Sequence, residues 1–159
     1  MRVVIQRVSE ASVTINNTIV AKINQGFLIL LGVTHDDNEE DVSWLTNKIT
    51  KLRVFSDENG LMNQSIQDIN GETIVVSQFT LFASTKKGNR PSFINSAKPD
   101  IAVPLYEKFV NALQAALTTT VQTGEFGANM QVALVNDGPV TITIDSKNRE
   151  YWPRSLDIA

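Results

Sequence analysis

The chain has 159 residues, 42% of them hydrophobic and 19% charged, a balance that suits one globular domain and argues against a disordered or coiled-coil chain. It has no cysteine, which excludes disulfide staples, zinc–thiolate sites and cysteine nucleophiles and fits a reducing, cytoplasmic setting. A net charge of −3 excludes a protein that grips nucleic acid by bulk positive charge, so any such contact must be local.

The opening Met1-Arg2-Val3-Val4-Ile5-Gln6-Arg7 carries a charge at position 7 and no long apolar stretch, so it does not read as a signal peptide. Val3, Ile5, Val13 and Ile15 alternate in strand fashion on either side of Ser9-Glu10-Ala11-Ser12. Asn16-Asn17 reads as a tight hairpin turn, because Asn tolerates positive φ, and residues 19–23 return as a second strand. Gln25-Gly26 turns the chain into residues 27–33, a continuous apolar run expected to be a strand buried on both faces. That run is too short to span a membrane, and no membrane partner is expected.

A helix follows. Asn38 is its expected cap, and Glu39, Glu40 and Asp41 suit the positive end of the helix dipole. Val42, Leu45, Ile49 and Leu52 give one apolar stripe. Arg53-Val54-Phe55 starts another strand, Asp57-Glu58-Asn59-Gly60 is a turn, and residues 73–79 form a β-branched strand. Residues 83–98 are polar, contain Gly and Pro, and show no period, so they predict a long loop of the kind that carries function. A second helix starts near Pro99 or Pro104 and runs to Leu117, with Leu105, Phe109, Leu113, Ala116 and Leu117 as its stripe. Thr123-Gly124-Glu125-Phe126-Gly127 is a connection. Residues 130–135 and 140–144 read as two strands around Asn136-Asp137-Gly138-Pro139, whose plain reading is an ordinary Gly-Pro turn. The order predicts a single α+β domain: a mixed β-sheet closing into a barrel-like core, with two helices packed on it. Closure itself is not read from periodicity.

Much familiar chemistry is missing. A Ser-His-Asp triad would need His35, the only histidine, which sits in Thr34-His35-Asp36-Asp37 and reads more simply as a solvated loop residue. There is no GxxxxGK[ST] phosphate loop and no GxGxxG fingerprint. Residues 57–68 lack the alternating acids of a calcium loop, and the acidic group from Asp36 to Asp41 reads as a solvated helix start, so neither metal nor cofactor is expected. Two segments remain. Ser77-Gln78-Phe79-Thr80-Leu81-Phe82 brings two hydroxyls and an amide to a strand end, and Asn136-Asp137-Gly138-Pro139-Val140-Thr141 lies between two strands. Taken locally, each has a plain reading, a polar strand end and a turn.

Taken together, Ser77-Gln78-Phe79-Thr80-Leu81 and Asn136-Asp137-Gly138-Pro139-Val140-Thr141 resemble the paired signature of the D-aminoacyl-tRNA deacylases. Three further segments agree in order: the opening through Val8, the loop Gly88-Asn89-Arg90-Pro91-Ser92-Phe93, and the stretch from Thr123 to Val132, in which the resemblance implies Met130 as a substrate-binding residue. The resemblance covers residues 1–145, taken as the catalytic domain. It leaves residues 146–159, with Tyr151-Trp152-Pro153-Arg154, as a C-terminal tail of unknown role.

The resemblance implies a homodimer with the active site at the subunit interface. It implies hydrolysis of the ester joining a D-amino acid, or glycine, to the tRNA acceptor end, as chiral proofreading in translation. Gly138-Pro139 is then a cis dipeptide inserted into the partner's pocket, its carbonyls facing the substrate Cα so that an L side chain would collide with them. Arg7 would help to hold it. Ser77 and Gln78 would keep the pocket's hydrogen-bond geometry, and the N–H groups around Phe79 and Thr80 would meet charge on the carbonyl oxygen. The other reading, Thr80 as nucleophile assisted by Gln78, asks an amide to accept a proton. Lys86, Lys87 and Arg90 form the best local basic cluster for RNA, with Phe93 and Phe82 as candidate stacking surfaces. Two other classes stay open: a general esterase using Thr80, and a non-catalytic RNA-end binder.

Overall fold

The computed structural model describes residues 1–149, so Tyr151-Trp152-Pro153-Arg154 of the expected tail lies outside the described residues. The chain begins with β1 (Arg2–Ile15), a single strand of 14 residues that runs through the Ser9–Ser12 stretch. Asn16 and Asn17 take φ of 48° and 64°, the left-handed pair that a two-residue hairpin needs, and β2 (Thr18–Ile23) returns antiparallel on β1. β3 (Gly26–Gly32) pairs antiparallel with the first half of β1 and is almost wholly buried, as the apolar run predicts. A Cβ on Gly26 would stand 1.8 Å from the Glu72 carbonyl oxygen, so only glycine allows the neighbouring strand this close.

The sheet continues through β6 (Glu72–Ser77), parallel to β3, and β7 (Val121–Thr123), parallel to β6, giving the order β2-β1-β3-β6-β7. Curvature brings β7 back to β2. The Gln122 side-chain amide closes the gap by accepting from Lys22 N–H and donating to the Lys22 carbonyl, each at 2.8 Å, in place of a backbone ladder rung. Val8, Ala11, Val13, Ala21, Ile23, Leu28, Ile74 and Val76 fill the barrel so formed. A short hairpin, β4 (Phe55–Ser56) and β5 (Met62–Gln64), stands apart.

Two helices pack on the other face of the sheet. α1 (Glu39–Lys51) starts as expected: Asn38 accepts from Glu40 N–H at 2.9 Å and Asp41 accepts from Asn38 N–H at 2.9 Å, a reciprocal cap. α2 (Pro99–Ala116) takes Pro99 in its first turn, where no N–H is missed, and buries Ala102, Leu105, Tyr106, Phe109 and Leu113 against the sheet. Ala116 belongs to the expected stripe but is exposed, because the helix ends there and the chain turns away.

β8 (Gln131–Asp145) departs from the expected pair of strands. It is one strand of 15 residues, antiparallel to β1 along nearly its whole length. Both halves hydrogen-bond the same partner in the same direction, so the Gly-Pro sequence between them does not reverse the chain. Val8 pairs with Asn136 and Gln6 with Thr141, so two steps along β1 oppose five along β8. The surplus residues are pushed out of the ladder as a bulge.

Ser146, the first residue assigned to the tail, is buried. Its hydroxyl donates to Asp41 at 2.6 Å and accepts from the Met1 amino group at 2.9 Å, which also contacts Asp37. Lys147 Nζ lies 2.9 Å from the second Asp41 oxygen. Burial pushes the Asp41 carboxyl up, but hydrogen bonds from Ser146, Lys147 and Asn38 outweigh it and hold the group at about 2.

Candidate active site

β3 and β6 run parallel and end side by side, with Leu31 opposite Ser77. Gln78 N–H still donates to the Leu31 carbonyl at 2.8 Å, after which residues Phe79–Phe82 wind into a single 3₁₀ turn. Leu81 N–H and Ala83 N–H are satisfied by Gln78 and Thr80 carbonyls. The N–H groups of Phe79 and Thr80, at the start of the turn, have no protein acceptor among the described residues. The turn therefore leaves two adjacent N–H donors without an internal acceptor, one of them on Phe79, which borders what lies beyond the strand end.

What lies beyond is a cavity of about 590 Å³. Ser77, Gln78, Phe79, Phe93 and Met130, all singled out in the sequence, line it. Its floor is apolar, built by Leu31, Val33, Val76, Ala102 and Val132, with Tyr106 reaching in from α2. Tyr106 Oη donates to the Val75 carbonyl at 3.1 Å and its ring meets Phe126 edge-on. Burial pushes this hydroxyl up to about 12, so at neutral pH it is a fixed donor and not a base. Tyr106 was not singled out in the sequence, and its one signal there is a polar tip beside Leu105 on an apolar helical stripe.

Thr80 is exposed and does not line the cavity. Its hydroxyl is held by the Gln78 side-chain amide. His35 is also exposed and absent from the lining, with its Nε2 on the Ile94 carbonyl. No catalytic triad can be drawn at this cavity with the single histidine elsewhere. Among the described residues no group of three His, Asp or Glu side chains comes together that could hold a metal ion.

The mouth carries an aromatic pair. Phe79 is 55% and Phe93 39% exposed, and their rings stand edge to face with centroids 4.9 Å apart. Phe82, expected as a stacking surface, is instead buried under the Arg2 guanidinium, 4.4 Å from its ring centre, and offers no face to a base. The exposed aromatic of this turn is Phe79. Lys86, Lys87 and Arg90 lie exposed on the loop that continues from Phe93, outside the cavity.

The second signature segment is the bulge of β8. The Gly138-Pro139 bond is cis, and both residues are exposed. Gly138 has φ of 136°, and a Cβ there would meet Val140 at 2.8 Å and Arg7 Nη2 at 3.1 Å, so the position is closed to any side chain. Arg7 spans the base of the bulge. Its Nε donates to the Asp137 carbonyl at 2.9 Å and its Nη1 to the Val54 carbonyl at 2.6 Å. Asn136 closes the other side, accepting from Val140 N–H at 3.1 Å and donating to Thr141 Oγ1 at 2.9 Å. Arg7, Gly138 and Pro139 are all absent from the cavity lining of their own chain.

The comparisons with known proteins agree with one another. A family model described as D-Tyr-tRNA(Tyr) deacylase matches residues 4–145. Proteins named D-aminoacyl-tRNA deacylase from Flavobacterium psychrophilum, Cytophaga hutchinsonii and Bacteroides fragilis are 64%, 62% and 60% identical, each over 94% of this chain and 100% of the relative. A solved structure titled c-Myc DNA unwinding element binding protein superposes with a TM-score of 0.86 at 38% identity, covering 91% of this chain and 98% of that one. A probable eukaryotic D-amino acid tRNA deacylase, 17% identical, shares the fold with a TM-score of 0.77 over 90% of this chain and 97% of its own. With the family model spanning nearly all of the described residues and full-length relatives at this identity, the chain belongs to the D-Tyr-tRNA(Tyr) deacylase family.

Proposed function

We propose that this protein hydrolyses the ester of D-aminoacyl-tRNA and rejects L-aminoacyl-tRNA by presenting the Gly138–Pro139 backbone to a partner subunit's cavity. One observation carries the reading: the dipeptide projects outward on an arginine clamp and is absent from the cavity of its own chain. A homodimer resolves this if each subunit offers its bulge to the other's cavity. The free outer edge of β8 supports such a partner. Beyond β1, the strand has no neighbour among the described residues, and its inward row Val132, Leu134, Val140, Ile142 and Ile144 is only half-buried. Long uncovered edges of this kind are usually paired or shielded.

In this arrangement the dipeptide's backbone leaves room at the substrate Cα for a hydrogen and none for a side chain. A D-residue fits, an L-residue collides, and glycine passes because it has no side chain. The aminoacyl ester is already activated. Water adds to the acyl carbon, and the Phe79 and Thr80 N–H groups receive the charge that develops on the carbonyl oxygen. The ribose oxygen then leaves with a proton, giving free amino acid and tRNA. The neighbouring ribose hydroxyl can orient the water, so orientation replaces a protein base. Gln78 cannot serve Thr80 as a base, since an amide takes up no proton near neutral pH. Lys86 and Arg90 would meet phosphates of the acceptor end, and Phe93 with Phe79 would meet its bases.

A mixing experiment tests the cross-subunit arrangement. Gly138→Ala breaks the bulge, and Ala128→Trp fills the cavity, of which Ala128 is a lining residue. Each variant alone should keep only about 1% of the wild-type rate on D-aminoacyl-tRNA. Refolded together they should recover about one quarter of the wild-type rate, because half of the dimers are mixed and one of the two sites in each is whole. No recovery, from variants shown to exchange subunits, would mean that bulge and cavity work within one chain.

A further inference from the structure

The loop 83–98 forms the outer wall of the cavity, through Phe93, Ser96 and Ala97, and carries the basic cluster at its tip. Two side chains from the β3–α1 connection fasten it. Thr34 Oγ1 donates to the Asn95 carbonyl at 2.6 Å, and His35 Nε2 contacts the Ile94 carbonyl at 2.8 Å. A carbonyl can only accept, so Nε2 carries the hydrogen. Backbone bonds extend the seam: Thr34 bridges Ser96, and Ala97 N–H donates to the Val33 carbonyl at 2.9 Å. The connection is itself anchored, because the buried Asp37 carboxylate accepts from Thr34 N–H at 2.8 Å and pairs with the Met1 amino group. On the loop side, Phe93 adjoins the fastened carbonyls and stands against Phe79. Ser92 and Ser84 then exchange backbone bonds of 2.7 and 2.9 Å, below the tip that holds Lys86, Lys87 and Arg90.

From this we infer that Thr34 and His35 are positioning residues for substrate binding: a two-bond clip that holds Phe93 and the basic tip ready at the cavity mouth. Neither side chain lines the cavity, so they act through the loop and not on substrate. Without the clip, the loop must be ordered each time tRNA binds, and that cost falls on binding. The inference rests on the deacylase reading for its kinetic readout but not for its physical one.

The test compares Thr34→Val and His35→Ala, which remove the donors, with Thr34→Ser and His35→Gln, which keep one. On D-aminoacyl-tRNA each donor-removing variant should raise KM about fivefold, the size expected for one hydrogen bond, with the change concentrated in KM, and each donor-keeping variant should restore it. Trypsin gives an independent readout. Lys86 and Lys87 are the cleavable bonds of the loop, since prolines follow Arg90 and Lys98. Cleavage there should be several-fold faster in Thr34→Val and His35→Ala at an unchanged melting temperature. Unchanged KM with unchanged cleavage overturns the clip, as does a fall in kcat with a lowered melting temperature, the mark of a merely structural role. If wild-type protein failed to deacylate D-aminoacyl-tRNA, the deacylase reading would fall, and the cleavage rates would still decide the clip.

Discussion

The cavity below Ser77 to Phe79 is concave, apolar and backed by α2, whereas the Gly138–Pro139 bulge is convex, exposed and held by Arg7 on one side and Asn136 on the other. The cavity gets its shape from packing: Leu31, Val76 and Tyr106 would be there in any well-buried core. The bulge gets its shape from the side-chain hydrogen bonds of Arg7 and Asn136 and from a residue with no side chain. On the proposed reading, reaction geometry and chiral selection therefore rest on different physics in different places.

The largest effect should come from Gly138→Ala. The added methyl meets Val140 and Arg7 and sits at a φ that side chains avoid, so the bulge must move. Displacement of about 1 Å at a reacting centre costs on the order of 100-fold, and kcat/KM on D-aminoacyl-tRNA should fall by roughly that factor while the circular dichroism spectrum stays native. Next is a region remote from both. Asp41 is held at about 2, below its ordinary 3.8, so it stabilises the fold fully above pH 4 and loses that contribution as pH falls from 4 towards 2. Asp41→Asn should cost about 2 kcal/mol in urea unfolding at pH 7, flatten the acid limb and leave the D/L ratio unchanged. A changed ratio would mean that the stability network and the selection device are coupled.

Arg7→Lys sharpens the comparison from the bulge side. Lysine keeps the charge but lacks the planar fork that reaches both Val54 and Asp137 carbonyls, so discrimination between D- and L-aminoacyl-tRNA should drop about tenfold with less loss of D-turnover. From the cavity side, Thr80→Ala should keep turnover within about tenfold of wild type, because the backbone N–H at that position survives the change. Total loss together with a trapped acyl-enzyme would make Thr80 the nucleophile. The smallest effects belong to the loop tip. Lys86→Ala and Arg90→Ala should each reduce the salt slope of tRNA binding by about 0.7, uniformly across tRNAs.

The sheet and helices were legible because their signals are local: the Asn16-Asn17 turn, the Asn38 cap and the Phe27 to Val33 apolar run each act within a few residues. The bulge in β8 was not legible, because whether Gly138-Pro139 turns the chain or swells out of a strand depends on β1, 130 residues away in sequence. For the same reason nothing local to Arg7 shows its partner, which only the resemblance supplied, and Tyr106 looks like one more stripe residue until its neighbour Val75 is in place. Phe82 and Phe79 illustrate the limit within a single motif. Both are aromatic and three residues apart, and only the fold decides that Arg2 covers one and leaves the other at the cavity mouth.

The most direct test charges one tRNA with each enantiomer of the same amino acid and measures release by purified wild-type protein. Backbone exclusion predicts rapid hydrolysis of the D-ester while the L-ester persists at its uncatalysed rate. Equal hydrolysis of both would contradict it, since nothing at the acyl carbon would then be telling the two hands apart.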